Sequence, residues 1–150
     1  MSAVTKTTKE IEAKISDEVW DRQRKWELKR DVLLDAMKKL GVLPELLVSL
    51  QNVHRDFGMP PDLETRLAET LKWQRAAGEF DATLFPAQLV CGPELVGAMR
   101  EFSMFGRHTA DLVMTGQVSR VSQEEWSREL VAKFSSATEA ARKELGIAGN

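Results

Sequence analysis

Cysteine and histidine are scarce in this 150-residue chain, and their scarcity excludes several kinds of site. Cys91 is the one cysteine, so no disulfide can form within the chain, and a reducing compartment is expected. His54 and His108 lie far apart, and neither completes the Glu-x-x-His pattern that di-iron bundles use. One cysteine and two distant histidines also give no zinc-binding spacing. The sequence therefore predicts no metal site and no cofactor.

Proline, glycine and long apolar runs are scarce as well. Five prolines and nine glycines are few enough for a chain that is helical throughout. The longest apolar run, around residues 46–50, is far too short to cross a bilayer. The N-terminal residues lack the apolar core of a secretory signal. We therefore expect a cytoplasmic protein that does not interact with membranes.

Neither sign of charge is in large surplus. The formal net charge is −2, which weighs against a general nucleic-acid binder, because such proteins gain affinity from an excess of lysine and arginine. A hydrophobic fraction of 43% with 29% charged residues is typical of a folded soluble protein. The length suits one domain with a substantial core.

The strongest pattern in the sequence is an apolar repeat of seven residues. Its members are Val19, Trp26, Leu33, Leu40 and Leu47. Such a repeat is typical of a helix that packs lengthwise against other helices. The pattern therefore predicts a packing surface, and no comparable arrangement of catalytic residues is present in the sequence.

The repeat has two halves that differ in character. Three residues after each member, the first half carries charged side chains at Arg22 and Lys29, whereas the second half carries apolar ones at Ala36, Leu43 and Leu50. We expect the second half to be buried in the protein's own core. The first half is expected to be only half-covered, or to be covered by a partner.

The long helix has two candidate starting points. Residues 1–7 are predicted to be a flexible polar tail. The helix can then begin at Thr7, with Glu10 completing a capping box. It can also begin at Ser16, where the neighbouring apolar residues would form a hydrophobic staple.

The same helix is predicted to extend to about His54. Pro44 lacks a backbone N–H and is expected to bend it. A complete break at Gly41 is the alternative.

Three further helices are predicted after a turn at residues 58–62. The second helix is expected to place on one face Leu63, Leu67, Leu71, Ala77, Leu84 and Cys91. The third is expected to bury Leu95, Met99, Phe102 and Val113. The last follows a cap at Ser122 and is expected to bury Trp126, Leu130, Phe134, Ala137, Ala141 and Leu145. Residues 8–150 are therefore predicted to be a single all-α, four-helix bundle-like domain with a long, kinked N-terminal helix.

Candidate catalytic residues are isolated from one another. His54, Arg55 and Asp56 match the tripeptide of a kinase catalytic loop, but the chain has no glycine-rich phosphate loop and no Asp-Phe-Gly motif. Cys91 has no histidine near it in sequence, so a small buried residue is favoured over a nucleophile. We therefore expect a protein that is not an enzyme.

A basic stretch with interleaved tryptophans, residues 20–30, supports an alternative function. Cations beside aromatic rings can follow a phosphate backbone and stack on bases. The residues that would contact nucleic acid are Arg22, Arg24, Lys25, Lys29 and Arg30. Acidic residues lie among them, and pairs such as Glu18 and Arg22 also suit a solvated helix face. Nucleic acid is therefore the less favoured partner.

The preferred hypothesis is self-association along the first helix. Tryptophan is enriched at the centres of protein interfaces, and an exposed apolar ridge usually meets another chain. The expected contact residues are Val19, Trp20, Trp26 and Leu33. A homodimer formed by a second copy of the same helix is the simplest partner, although another protein is possible.

Two segments resemble known sequences. Residues 26–31, Trp-Glu-Leu-Lys-Arg-Asp, with the amphipathic run after them, resemble the opening helix of some uncharacterised bacterial helical-bundle proteins. The stretch from Ala87 to Val96 is similar too, and the resemblance covers about half of the chain. It implies a bacterial helical bundle. Because that group has no established activity, the resemblance implies no function.

Overall fold

The computed structural model describes residues 2–54, 62–117 and 122–147, which form helices and no strand. The helices are α1 (Ala3–Gly41), α2 (Leu43–His54), α3 (Leu63–Asp81), α4 (Leu84–Val90), α5 (Pro93–Met114) and α6 (Gln123–Glu144). Only Val42 separates α1 from α2, and only residues 82–83 separate α3 from α4. The helices therefore group into four segments. This confirms the predicted all-α, bundle-like fold with a long, bent first segment.

α1 begins earlier than either predicted start. Ser2 is its N-cap, and the Ser2 hydroxyl accepts a hydrogen bond from the backbone N–H of Thr5 at 3.3 Å. Thr7 and Ser16 both lie inside the helix. Because neither glycine nor proline occurs between Ser2 and Gly41, nothing stops the helix from extending back to this cap. Most of the segment predicted as a tail, residues 3–7, is therefore helical.

The bend in the first segment lies at Val42. This residue keeps right-handed helical angles, with φ −87° and ψ −15°, and its N–H bonds to the carbonyl of Leu40. Pro44 is the second residue of α2, where its missing N–H costs no helical hydrogen bond. The interruption therefore lies between the two predicted positions, Gly41 and Pro44. The helix is interrupted for one residue, Val42, and then continues.

The second half of the apolar repeat forms the centre of the core, as predicted. Each of its side chains is at most 1% exposed, namely Leu33, Ala36, Leu40, Leu43, Leu47 and Leu50. They pack with residues of α5 such as Leu95, Met99 and Phe102. Phe102 also makes edge contacts with Phe80 and Phe134, at 6.4 and 6.3 Å between ring centroids. Four helical segments thus meet at one core.

The predicted buried face of the second helix is only partly correct. Ala77, Leu84 and Cys91 pack against the core, but Leu63, Leu67 and Leu71 are 70%, 54% and 63% exposed, whereas Trp73 and Phe80 are buried. Trp73 and Phe80 are large aromatic side chains seven residues apart, so they lie on the same side of the helix and occupy the core together. The leucine row is left beside the core rather than in it.

The last two helices match the sequence prediction closely. Leu95, Met99, Phe102 and Val113 are buried on α5, as are most of the predicted residues of α6, whereas Phe134 and Leu145 are partly buried. The Ser122 hydroxyl accepts a hydrogen bond from the backbone of Glu125, which confirms the predicted cap. We also expected Val121, the residue before this cap, to pack on Trp126 as a hydrophobic staple, but Val121 and the turn residues 58–61 lie outside the described residues.

The interior between α5 and α6 holds a buried polar contact. The indole N–H of Trp126 donates to the hydroxyl of Thr109 at 2.8 Å, and that hydroxyl donates to the carbonyl of Phe105 at 3.0 Å. Phe105 also stacks on Trp126, with ring centroids 5.9 Å apart. Because the buried indole is paired, Trp126 can fill the core without an unsatisfied donor.

Candidate self-association surface on the first helix

The N-terminal part of α1 is a helix without neighbours in the described structure. Every residue from 2 to 28 is exposed, and burial begins only at Lys29. We call residues 3–28 the free segment. At 1.5 Å per residue it is about 39 Å long. It is therefore long enough to form an interface of its own.

One side of the free segment carries an apolar stripe. The stripe consists of Val4, Ile11, Ile15, Val19 and Trp26, which are 76%, 54%, 55%, 51% and 51% exposed. At about 100° per residue these positions fall within one sector of roughly 80°. Leu33 and Leu40 continue the same sector further along the helix, where they are fully buried. The side of α1 that faces the core therefore stays mostly apolar far beyond the point where the core ends, with Thr8 and Arg22 as the polar residues in the same sector.

Three stripe residues were missed by the sequence analysis. Val4, Ile11 and Ile15 do not share the seven-residue spacing of Val19 and Trp26. The signal that could have found Ile11 and Ile15 is the four-residue spacing from Ile11 through Ile15 to Val19, and Val4 lies seven residues before Ile11; both spacings keep apolar residues on one side of a helix.

A polar cluster fixes the base of the free segment. The ammonium of Lys29 pairs with Oε2 of Glu144 at 2.5 Å, and Oε1 of Glu144 accepts the backbone N–H of Gly92 at 2.5 Å. Glu144 thereby joins α1, α6 and the start of α5. Since its side chain is only 13% exposed, the pair is better shielded from solvent than an ordinary surface pair. This cluster sets the direction in which the free segment leaves the other helices.

Cys91 lies beside this cluster. Burial raises the pKa of its thiol, the negative charge of Glu144 raises it further, and Lys29 partly offsets the increase. Less thiolate is therefore present near neutral pH than for an exposed cysteine. The half-buried position agrees with the predicted packing role better than with a nucleophile.

The four predicted contact residues do not all lie on the exposed apolar stripe. Val19 and Trp26 belong to the stripe. Trp20 is also exposed, but it lies about 100° around the helix from Val19, and Arg24 covers its ring at 5.4 Å. Leu33 is 0% exposed and belongs to the protein's own core, so it is not available to a partner. Its inclusion was wrong because a seven-residue repeat does not show where intrachain packing ends.

The five predicted nucleic-acid contacts also differ in their surroundings. Arg22, Arg24 and Lys25 are exposed on the free segment, whereas Lys29 is engaged with Glu144. Arg30 pairs with Asp31 at 3.2 Å and lies over the Trp26 ring at 5.2 Å. Trp20 and Trp26 thus each have one ring face covered by an arginine of their own helix. This leaves less aromatic surface for stacking on bases.

The remaining titratable residues do not assemble a reactive centre in the described part of the chain. His54 ends α2, and its Nδ1 lies 2.9 Å from the carbonyl oxygen of Leu50, a contact typical of a side chain that caps a helix C-terminus. His108 lies on an open groove of about 530 Å³ between α5 and α6, together with Ser122. The Ser122 hydroxyl is already used as a helix cap. Within the described ranges there is no group of three or more metal-binding side chains.

No helix within the described ranges combines the length and the apolar character that crossing a membrane requires.

A scan against protein-family models found no match, and neither the curated proteins nor the solved structures contain a significant match. The function is therefore argued from the geometry of this chain.

Proposed function

We propose that this protein is a non-enzymatic interaction protein that self-associates through the free segment of α1. The observation that carries the proposal is the apolar stripe, which continues the core-facing side of α1 along the 26 residues of the free segment, where every side chain is exposed in the described structure. An exposed apolar surface of this extent on a soluble protein usually marks an interaction site.

Helix stability supports the same proposal. A helix that contacts nothing is marginal in water even when its residues favour helix, because most helical stability in proteins comes from packing of an apolar face. The free segment carries such a face with no neighbour to pack on. Association would remove this face from water and stabilise the helix at the same time.

A second copy of the chain is the simplest partner. It presents an identical stripe, so a two-fold pairing of two free segments covers stripe residues of both chains at once. Paired helices with apolar residues at such spacing bury them along a common seam.

Substitution of Trp26 tests the proposal. Trp26→Asp places a negative charge at the C-terminal end of the stripe, so we expect dimers to dissociate into monomers. The molar mass is measured by light scattering across a range of concentrations, and helicity by circular dichroism. Because Trp26 is 51% exposed and is not part of the core cluster of the described residues, helicity is expected to change little apart from fraying of the free segment.

Leu28→Asp is the matched control. Leu28 is 54% exposed on the same segment, close to the 51% of Trp26, but lies about 200° around the helix from it. We expect this variant to keep the dimer mass. A wild-type protein that is monomeric at high concentration, or an equal loss of mass in both variants, would refute the proposal.

A further inference from the structure

We infer that the two free segments pair antiparallel, with the acidic part of each segment against the basic part of the other. This inference rests on the proposed self-association and specifies its orientation. It comes from the distribution of charge along α1, which the apolar stripe alone does not determine.

The charges of α1 are segregated along its length. Residues 10–21 contain five acidic residues and one lysine, a net charge of −4, and we call them the acidic block. Residues 22–30 contain five basic residues and one glutamate, a net charge of +4, and we call them the basic block. The two blocks adjoin each other in the region where the stripe is exposed.

The segregation is sharpest next to the stripe. Within roughly 80° of the stripe's centre, the charged side chains of the acidic block are Glu12 and Glu18. On the same side of the basic block lie Arg22 and Lys25, both exposed, and then Lys29 and Arg30 at the base. The charges in or beside a seam are therefore negative in the acidic block and positive in the basic block.

A parallel pairing in register brings like charges together. Glu12 would face Glu12 of the other copy, and Arg22 would face Arg22. In a parallel coiled coil Lys25 would also lie beside Arg30 of the other copy, five residues further on. Each of these contacts opposes association, because like charges at a seam cost free energy.

An antiparallel pairing removes these like-charge contacts. With Ile15 opposite Trp26 of the other copy, Arg22 lies opposite the apolar Val19 instead of another arginine, and Glu18 lies beside Lys25, which has the opposite charge. Each contact occurs twice because the pair is two-fold symmetric. Residues 13–28 of one chain then lie against residues 13–28 of the other in the opposite direction. This overlap stays within the free segment and ends where each helix meets its own core.

A charge-reversal cycle tests the orientation, because the stripe itself is left unchanged. We expect Glu18→Lys and Lys25→Glu each to raise the dimer Kd by roughly three- to tenfold, since each creates two like-charge contacts. The double variant should return to within about threefold of the wild-type Kd, since it restores both contacts with the signs exchanged. Sedimentation equilibrium at low salt measures all four dissociation constants.

The same cycle gives the opposite result for a parallel pair. Lys25→Glu would then relieve the repulsion from Arg30 and lower the Kd, while Glu18→Lys would face the neutral Gln23 and change little. Either result, or a double variant no better than its weaker parent, overturns the antiparallel inference. If the wild-type chain is monomeric, the proposed function fails instead, so the two failures are distinguishable.

Cross-linking provides a second measurement. Ile15→Cys and Trp26→Cys are made separately in a Cys91→Ala background, mixed and oxidised, after light scattering has established that each mixture is dimeric. In the antiparallel pair, two copies of either position lie about 16 Å apart, beyond disulfide reach, while residues 15 and 26 lie opposite each other. We expect the mixed disulfide to predominate. Predominant homodisulfides, or no disulfide in a dimeric mixture, would contradict the inference.

Discussion

Single residues in the interior have roles that their type alone does not predict. Gly106 lies in the middle of α5, where glycine normally weakens a helix relative to alanine. A Cβ at this position would meet Cη2 of Trp73 at 2.8 Å. Because Trp73 is only 4% exposed, its ring has little room to move. Gly106 is therefore required by the close approach of the Trp73 ring to the backbone of α5 rather than by backbone conformation.

This close approach gives a prediction at the scale of one residue. Gly106→Ala should lower the free energy of unfolding by about 1–3 kcal/mol, because overpacking against Trp73 outweighs the gain in helix propensity. Urea denaturation followed by circular dichroism measures the change.

Gly97 on the same helix is the matched control. A Cβ there would meet nothing within 4 Å, so Gly97→Ala should raise the free energy of unfolding by about 0.5–1 kcal/mol. If both substitutions stabilise the protein, the proposed packing of Trp73 against α5 is incorrect.

At the scale of elements, α1 is one continuous helix whose two parts have different environments. From Leu33 onward its apolar face is buried by other helices, and before Lys29 the same face is exposed. The repeat that marks this face is continuous, and so is the helix. The change in environment is therefore a property of the neighbouring helices, chiefly of where α6 ends beside Glu144.

Removal of the free segment tests this division. A chain beginning at Lys29 should retain a cooperative unfolding transition, because every residue from 2 to 28 is exposed and contributes little to the core. Its molar mass by light scattering should be that of a monomer. Thermal melting by circular dichroism checks the fold.

The control is the full-length Trp26→Asp variant measured under the same conditions. The two proteins should melt at similar temperatures, since both are expected to be monomers with the same core. An unfolded truncated chain would mean that the first part of α1 supports the core through contacts absent from the described structure.

At the scale of the whole molecule, charge argues against nucleic acid. The formal net charge is −2, and the basic block is flanked on one side by an acidic block of equal and opposite charge. Non-specific affinity for nucleic acid depends on releasing counterions through a surplus of cations. Local cations next to an equal number of acids provide little such surplus.

We therefore predict no measurable binding of the full-length protein to duplex DNA or single-stranded RNA near 0.1 M salt. Fluorescence anisotropy with labelled oligonucleotides measures it. The Glu12→Gln, Glu18→Gln double variant is a useful comparison, because it lowers the acidic charge next to the stripe while leaving every cation in place. Wild-type binding that weakens steeply with added salt would instead support the alternative function of residues 20–30.

Much of the fold could be predicted because local chemistry determines it. The Ser122 cap of α6, Pro93 at the start of α5 and the termination near Gly116 and Gly146 each depend on a few adjacent residues. Both of these glycines have positive φ, which other residues rarely adopt. The inward face of α3 could not be predicted in this way, because it depends on which helix Trp73 meets.

For the candidate surface, the sequence by itself determined the long helix, its apolar stripe and the order of its charges. These features follow from periodicity and composition, which need no knowledge of neighbours. Only the tertiary structure decided that Leu33 is covered while Val19 and Trp26 are not, and that Lys29 is held by Glu144. The physical reason is that burial depends on contacts between segments far apart in the sequence. The sequence of one helix does not determine where a neighbouring helix ends.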